Sequence, residues 1–334
     1  MIYINIIDVS KKAGVSIATV SRVLNGTANV SESTYKKVME AVKALDYHPN
    51  IAGRNLRTSK TGNIMVILNT LSNPFFPRII KAIEEEASRD NYTVIISSVN
   101  GEKEKFKSQL SLLKKRFADG AIFLSVDIPE ECKNEVKDLS EILPIIQCCE
   151  QANIRTIPEV RIDDFAAMYD MVSRLIKSGR RKILYFSNDN ILPSTTLRLE
   201  GYKQALKDGG IEFNEELILK GNYGYRNASL LTSEFIKTGR KFDAVVCNSD
   251  RMAAGAISVL KENGFSIPED VQVSGFDNID LCHMVTPQIT TVSQDRKAIG
   301  KKAYELLAKR LKGEDVNNNN IIKYTIIERD STNL

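Results

Sequence analysis

Catalytic raw material is scarce in this chain. Its two histidines, His48 and His283, stand far apart, and neither falls in a catalytic or metal-ligand motif. His48 precedes Pro49 and reads as structural. No glycine-rich phosphate loop occurs, and no GxGxxG follows a strand. An enzyme is therefore not expected, nor a cofactor or a metal centre. The five cysteines (Cys132, Cys148, Cys149, Cys247 and Cys282) are odd in number and form no CxxC pair, which suits reduced thiols in a cytoplasm. No apolar run approaches a membrane span, and no basic region with an apolar stretch and cleavage site opens the chain. The expectation is a cytoplasmic protein with no membrane partner.

With 334 residues, the chain exceeds one small core and implies two or three domains. Hydrophobic content of 43% and charged content of 26% are those of an ordinary globular protein. The net charge of +4 is unevenly placed. Residues 1–60 hold nine Lys/Arg against four Asp/Glu, or +5, which leaves 37 against 38 for the remainder. The surplus positive charge thus sits on a small N-terminal segment, where phosphate contacts and counterion release can use it.

That segment carries a pattern. Ile6, Val9 and Ala13 repeat at helical spacing, as do Ile17, Val20, Val23 and Leu24. Between the two sets, Gly14 can end the first helix in the left-handed conformation and Ser16 can cap the second. Two helices joined by a short glycine-containing turn form a helix-turn-helix, whose second helix enters the major groove of DNA. Ile17, Ala18 and Arg22 are then free to meet base edges, Arg22 by a bidentate pair with guanine, and Thr19 and Ser21 can reach phosphates. The spacing alone also fits an ordinary helical hairpin with a surface arginine. Ser31 is expected to cap a third helix whose inward stripe is Tyr35, Val38, Val42 and Leu45. After Pro49, residues 50–57 are too few for a stable isolated helix and include Gly53. They read as a linker that orders on DNA, with Leu56 as an apolar wedge for the minor groove. A plain linker whose leucine packs on the core is the alternative.

The residues Asp8-Val9, Ala13 to Ser16, Thr19 to Asn25, Val30-Ser31 and Tyr47 to Asn50, leading to Arg54 and Leu56, resemble the DNA-binding headpiece of the LacI/GalR family of transcription regulators. The resemblance implies that Ser16, Ile17, Ala18, Thr19, Ser21, Arg22, Asn25, Arg54 and Leu56 contact DNA.

Beyond residue 61 apolar strands alternate with amphipathic helices. Strand-like runs fall at 64–68, 92–96, 120–124, 143–147, 182–186, 243–247 and 271–275. Helical patterns fall between them, for example at 79–89, 165–178, 197–208 and 252–262. This alternation predicts parallel α/β sheets in two similar lobes divided near Asp163. It resembles the two-lobed periplasmic-binding-protein-like core of the same family, in which the chain crosses between lobes three times, here near Asp163, Val292 and Ile321. The expected organisation is an all-α headpiece (1–49), a hinge (50–60), a first lobe (61–162 with 293–320) and a second lobe (163–292 with 321–334).

Ligands of α/β sheets gather beyond the carboxyl ends of strands. Phe75 and Phe76 follow the first strand, Arg198 is expected to open a helix, and Asp277 ends the strand at 271–276. An arginine and an aspartate converging there can orient a sugar or sugar phosphate by charge-assisted hydrogen bonds. Alternatively the two pair with each other or with water, and the phenylalanines are core. The family resemblance favours effector contacts at Phe75, Phe76, Arg198, Asp277 and also Ser249.

Within the family the core is most similar to the catabolite-control branch, through Ser72 to Phe76, Ile157 to Val160, Gly275 to Asn278 and Met284 to Gln288. That branch implies a homodimer on a pseudopalindromic operator, with the phosphocarrier HPr, phosphorylated on serine, as corepressor. At the docking positions this chain has Lys297, Ala298 and Glu305, and a glutamate there repels phosphoserine. The phosphoprotein partner is therefore put in doubt. The function implied is a repressor of carbohydrate-utilisation genes, such as polysaccharide or amylase genes. Regulation of an unrelated sugar or nucleoside operon by a dedicated inducer is the alternative, and a solute-binding module a distant third.

Overall fold

The computed structural model describes residues 4–25, 30–47, 60–188, 192–222 and 224–334. Two compact units divide the chain, Met1–Thr61 and Gly62–Leu334. His48, Arg54 and Leu56, and nearly all of the expected hinge, lie outside the described residues.

Among the described residues of the first unit, three helices, α1 (Ile6–Ala13), α2 (Ile17–Asn25) and α3 (Glu32–Ala44), surround a small core. Asn5 caps α1 by accepting from the amides of Ile7 and Asp8, while Asp8 accepts in return from the Asn5 amide. Gly14 ends α1 at φ 65°, and its N–H donates to Ser10 O. Val9, Val20, Val23, Val38, Ala41 and Tyr47 are buried together. Tyr35 departs from expectation: it is exposed, and Ala41 takes a place in the stripe instead. Tyr35 sits at the margin of the stripe, one turn before Val38, where so small a core has already ended.

The second unit opens with β1 (Asn63–Leu68), α4 (Phe76–Arg89), β2 (Thr93–Ser98), α5 (Lys103–Lys114), β3 (Gly120–Leu124), α6 (Lys133–Ile142), β4 (Ile145–Cys148) and β5 (Glu159–Arg161). It continues with α7 (Asp164–Lys177), β6 (Ile183–Asn188), α8 (Pro193–Asp208), β7 (Ile218–Gly221), α9 (Tyr225–Lys237), β8 (Ala244–Cys247), α10 (Asp250–Glu262), β9 (Gln272–Phe276), α11 (Leu281–Met284) and β10 (Thr290–Gln294). Last come α12 (Arg296–Leu311), β11 (Asn319–Ile321) and β12 (Tyr324–Ile327). No helix among the described residues is long and apolar enough to cross a membrane.

The strands form two six-stranded sheets, ordered β11-β5-β4-β3-β1-β2 and β12-β10-β9-β8-β6-β7. Strands such as β3 and β8 are buried along their whole length, hence their unbroken apolar sequences. One pairing departs from the expected parallel arrangement: β12 runs antiparallel to β10. No crossover helix separates β11 from β12, so the chain passes directly from one sheet to the other and enters the second in reverse. The second crossing comes after Gln294 instead of near Val292, because β10 keeps pairing to that point. Glycine sets two close helix contacts. A Cβ on Gly201 would stand 2.4 Å from Phe165 O, and one on Gly300 2.5 Å from Ile79 O, so α8 meets α7 and α12 meets α4 with backbones touching.

In each sheet the strand order reverses beside the lobe's first strand, between β1 and β3 and between β6 and β8. Such switch points open a crevice at the carboxyl ends of the strands.

Candidate functional site

Two surfaces gather the candidate residues. On the first, Ser16 accepts from the Thr19 amide at 3.1 Å, and the two hydroxyls stand 2.9 Å apart. Ser16 therefore caps α2, and Thr19 meets any phosphate with its hydroxyl partly committed. Val20 and Val23 turn into the core, which leaves Ile17, Ala18 and Arg22 exposed on the opposite face, Ile17 by 45%. Ser21 is half-buried, and Asn25 ends the helix. Lys11 and Lys12 occupy the last turn of α1. The exposed face thus joins an apolar surface, a guanidinium and nearby cations.

The second surface is the crevice. A cavity of about 90 Å³ is lined from both lobes by residues that follow strands: Asn69 and Thr70 after β1, Ser125 after β3, Glu150 after β4, Asn248 after β8 and Asp277 after β9. Phe75, Phe76, Ser194, Arg198 and Gln294 complete much of its wall. Phe75 and Phe76 pack edge to face with ring centroids 5.5 Å apart and are nearly buried. Ser125, Cys149 and Asp277, all in this wall, hold φ of 52°, 68° and 107°. Positive φ is costly for residues other than glycine and clusters at functional sites.

Arg198 lies in the second turn of α8 and does not open it, since α8 begins at Pro193. Its Nε donates to Asp164 Oδ1 at 2.8 Å, its Nη1 to Asn248 O at 3.0 Å, and its guanidinium stands 3.6 Å from the centre of the Phe276 ring. The alternative in which Arg198 pairs with Asp277 gives way to this pairing with Asp164. Asp277 accepts from Gln294 Nε2 at 2.8 Å, and burial pushes its carboxyl up to about 8. It is thus mostly neutral near pH 7, able to donate as well as accept. Ser249 does not line the cavity. It caps α10 by accepting from the Met252 amide at 3.3 Å, and its neighbour Asn248 faces the space.

Glu150 was not anticipated. It is buried, accepts from the Ser194 amide at 3.0 Å and from the Ser194 hydroxyl at 2.7 Å, and so links the first lobe to the start of α8. The N-cap residue of α8, Leu192, makes no side-chain cap, and an acid from the other lobe meets the positive end of the helix. Burial, with the charge of Asp164, pushes Glu150 up to about 7. The signal that could have found it was its position, two residues beyond the end of β4.

Comparison with known proteins agrees over nearly the whole length. Residues 5–50 match the model for bacterial regulatory proteins of the lacI family, and residues 61–330 the model for periplasmic binding proteins and sugar binding domain of the LacI family. The chain is 38% identical to the HTH-type transcriptional regulator RegA of Clostridium acetobutylicum, over 97% of this chain and 98% of that one. It is 34% identical to catabolite control protein A of Priestia megaterium, over 98% and 99%. In fold it is similar to the lac repressor dimer bound to operator and an anti-inducer, with TM-score 0.89, 24% identity and 98% of both chains covered. With a helix-turn-helix unit, a two-lobed α/β core and relatives that regulate transcription, this chain is a DNA-binding transcriptional regulator and belongs to the LacI family.

Proposed function

We propose that the chain is a repressor of carbohydrate-utilisation genes, which reads its operator with α2 and answers to a small sugar or sugar-phosphate ligand between the lobes of its core. The observation that carries the reading is the division of α2, which buries Val20 and Val23 and leaves Ile17, Ala18 and Arg22 outward. Arg22 suits the O6 and N7 of guanine, Ile17 and Ala18 suit thymine methyl groups, and Ser16, Thr19 and Ser21 suit the phosphates alongside. Asn25, Arg54 and Leu56 belong to the same reading, Leu56 as the wedge that bends the operator. A homodimer places two such helices in successive major grooves of a pseudopalindromic site.

In the core, Phe75 and Phe76 supply the apolar wall, and Asp277, Arg198 and Glu150 the polar contacts. A space of about 90 Å³ is well below the ~300 Å³ of a typical small-molecule pocket. A sugar therefore enters only when the lobes part, and its affinity differs between lobe arrangements. That difference is what lets a ligand control DNA binding.

Arg22→Ala tests the DNA half of the reading. In a binding-site selection it should erase preference at one base pair per half-site, worth about 1–3 kcal/mol, while weak salt-dependent binding persists. An unchanged preferred sequence would remove Arg22 from the reading face.

A further inference from the structure

A second cavity, of about 420 Å³, lies where the chain crosses between the lobes. Its wall includes Arg78 of α4, Arg296 and Lys297 at the start of α12, and Lys323 in the link between β11 and β12. From the second lobe Asn278 and Thr325 contribute, and Gln294 lines this cavity as well as the crevice. Four cations thus converge on one space, against one acid in its wall, Asp295.

The acids around them are already engaged. Asp280 pairs with Arg78 across the lobes. Asp295 accepts from the Ala298 amide as the cap of α12. Asp277 accepts from Gln294. Arg296 is the telling residue. Only 7% of it is exposed, and its Nη2 donates to Asn278 O at 2.7 Å. Among the described residues it forms no ion pair, and its neighbours include another cation, Arg78. Burial, and then the charge of Arg78, push its pKa down, against the opposing pull of Asp277, Asp280 and Asp250, none of which forms an ion pair with it. A buried charge is expensive unless it is paired. Lys297 and Lys323 are exposed at the mouth and likewise form no ion pair among the described residues.

We propose that this cavity is an anion site for a small phosphate-bearing ligand, separate from the crevice, and that its occupant biases the angle between the lobes. A phosphate offers three acceptor oxygens and up to two negative charges. These match the donors of Arg296, Lys297 and Lys323, while Arg78 keeps Asp280. Because the wall draws on both lobes, an anion seated there favours the arrangement that brings Arg78, Arg296 and Lys297 toward Lys323 and Asn278. Through Gln294, whose amide holds Asp277 in the crevice, the two sites share one side chain.

The test is calorimetric titration of the full chain with inorganic phosphate at fixed ionic strength, with chloride as control and phenyl phosphate as the ester arm. Saturable binding of the free ion or of the ester is expected, with none of chloride, and the better of the two tells which form the cavity takes. Lys297→Gln with Lys323→Gln should weaken that binding about tenfold or more, because charge-assisted hydrogen bonds are lost. Both lysines are exposed, so the melting temperature without phosphate should not move. Equal binding to the double variant would place the anion elsewhere, for instance beside Arg198, and would overturn the proposal while leaving the crevice reading intact. So would a response to a serine-phosphorylated protein alone, with none to either small phosphate.

Discussion

The two recognition surfaces treat polar side chains in opposite ways. α2 leaves Arg22 in solvent, and Ser16 and Thr19 bond only locally. The crevice buries Arg198, Asp277, Glu150 and Asn248 and gives each side chain a protein partner, Asn248 through the Tyr185 hydroxyl on its Oδ1, although the Asn248 Nδ2 finds none among the described residues. An exposed reading face contributes little to folding and is cheap to alter. A buried, paired set positions its groups rigidly, but altering it disturbs the fold as well as recognition. DNA preference can therefore change without loss of stability, whereas ligand preference is tied to the integrity of the core.

The largest expected effect tests that contrast directly. Arg198→Ala strands the buried Asp164 carboxylate and should lower the stability of the core by about 3–5 kcal/mol in denaturant unfolding. Arg22→Ala should stay within about 0.5 kcal/mol of the parent. Equal losses in the two variants would break the contrast. It also follows that Arg198→Ala is a poor probe of ligand contact. Asp277→Ala, read by calorimetry once a ligand is in hand, serves better, and unaltered affinity would remove Asp277 from the ligand's contacts.

The next effect is a pH dependence. Glu150 rises from 4.5 to about 7 on folding, so the native state holds its proton more tightly than the unfolded chain. Its contribution to stability is full below about pH 4.5 and is lost as pH rises through about 7. Glu150→Gln should flatten the melting curve across that window, by about 1–3 kcal/mol between its ends. A profile as steep as the parent's would assign the slope to Asp277 and Asp250, which rise to about 8 and about 6.

The smallest effect concerns the phosphoprotein. Glu305 on α12 pairs with Lys302 at 3.1 Å and Lys309 at 2.9 Å, and Lys301 pairs with Glu86 at 3.1 Å. The lysines around the docking positions are thus partly neutralised by acids at hand. Serine-phosphorylated HPr should change operator retention in a gel shift by less than about twofold, corresponding to under ~0.4 kcal/mol. A large enhancement would mean that a phosphoserine can displace Glu305 from its lysines.

Local signals carried far in this chain. Gly14, Ser16 and the spacing of Val20 and Val23 mark the helix-turn-helix because capping and a 3.6-residue period act within a few residues. Fully buried strands such as β3 and β8 announce themselves as unbroken apolar runs. β5, β7 and β11 do not: each is three or four residues long, and β11 reads Asn-Asn-Ile. Such short strands, β7 and β11 at sheet edges and β5 next to β11, exist because a sheet already built offers them a ladder, a cause absent from their own residues. Ser249 shows the reverse case, a residue rightly placed after a strand whose hydroxyl is consumed by the helix that follows.

The sequence by itself determined the elements, their alternation, and the residues that stand at helix starts and strand ends, since these depend on neighbours within a turn or two. Only the tertiary structure decided the pairings across long separations. Arg198 faces Asp164, Glu150 reaches from one lobe to the start of α8, and Arg296 lies buried with no ion-paired carboxylate among the described residues. Those outcomes depend on which strand ends the two switch points bring together and on how much water is excluded there. Burial and charge pairing belong to the assembled space, and no local pattern of residue types records them.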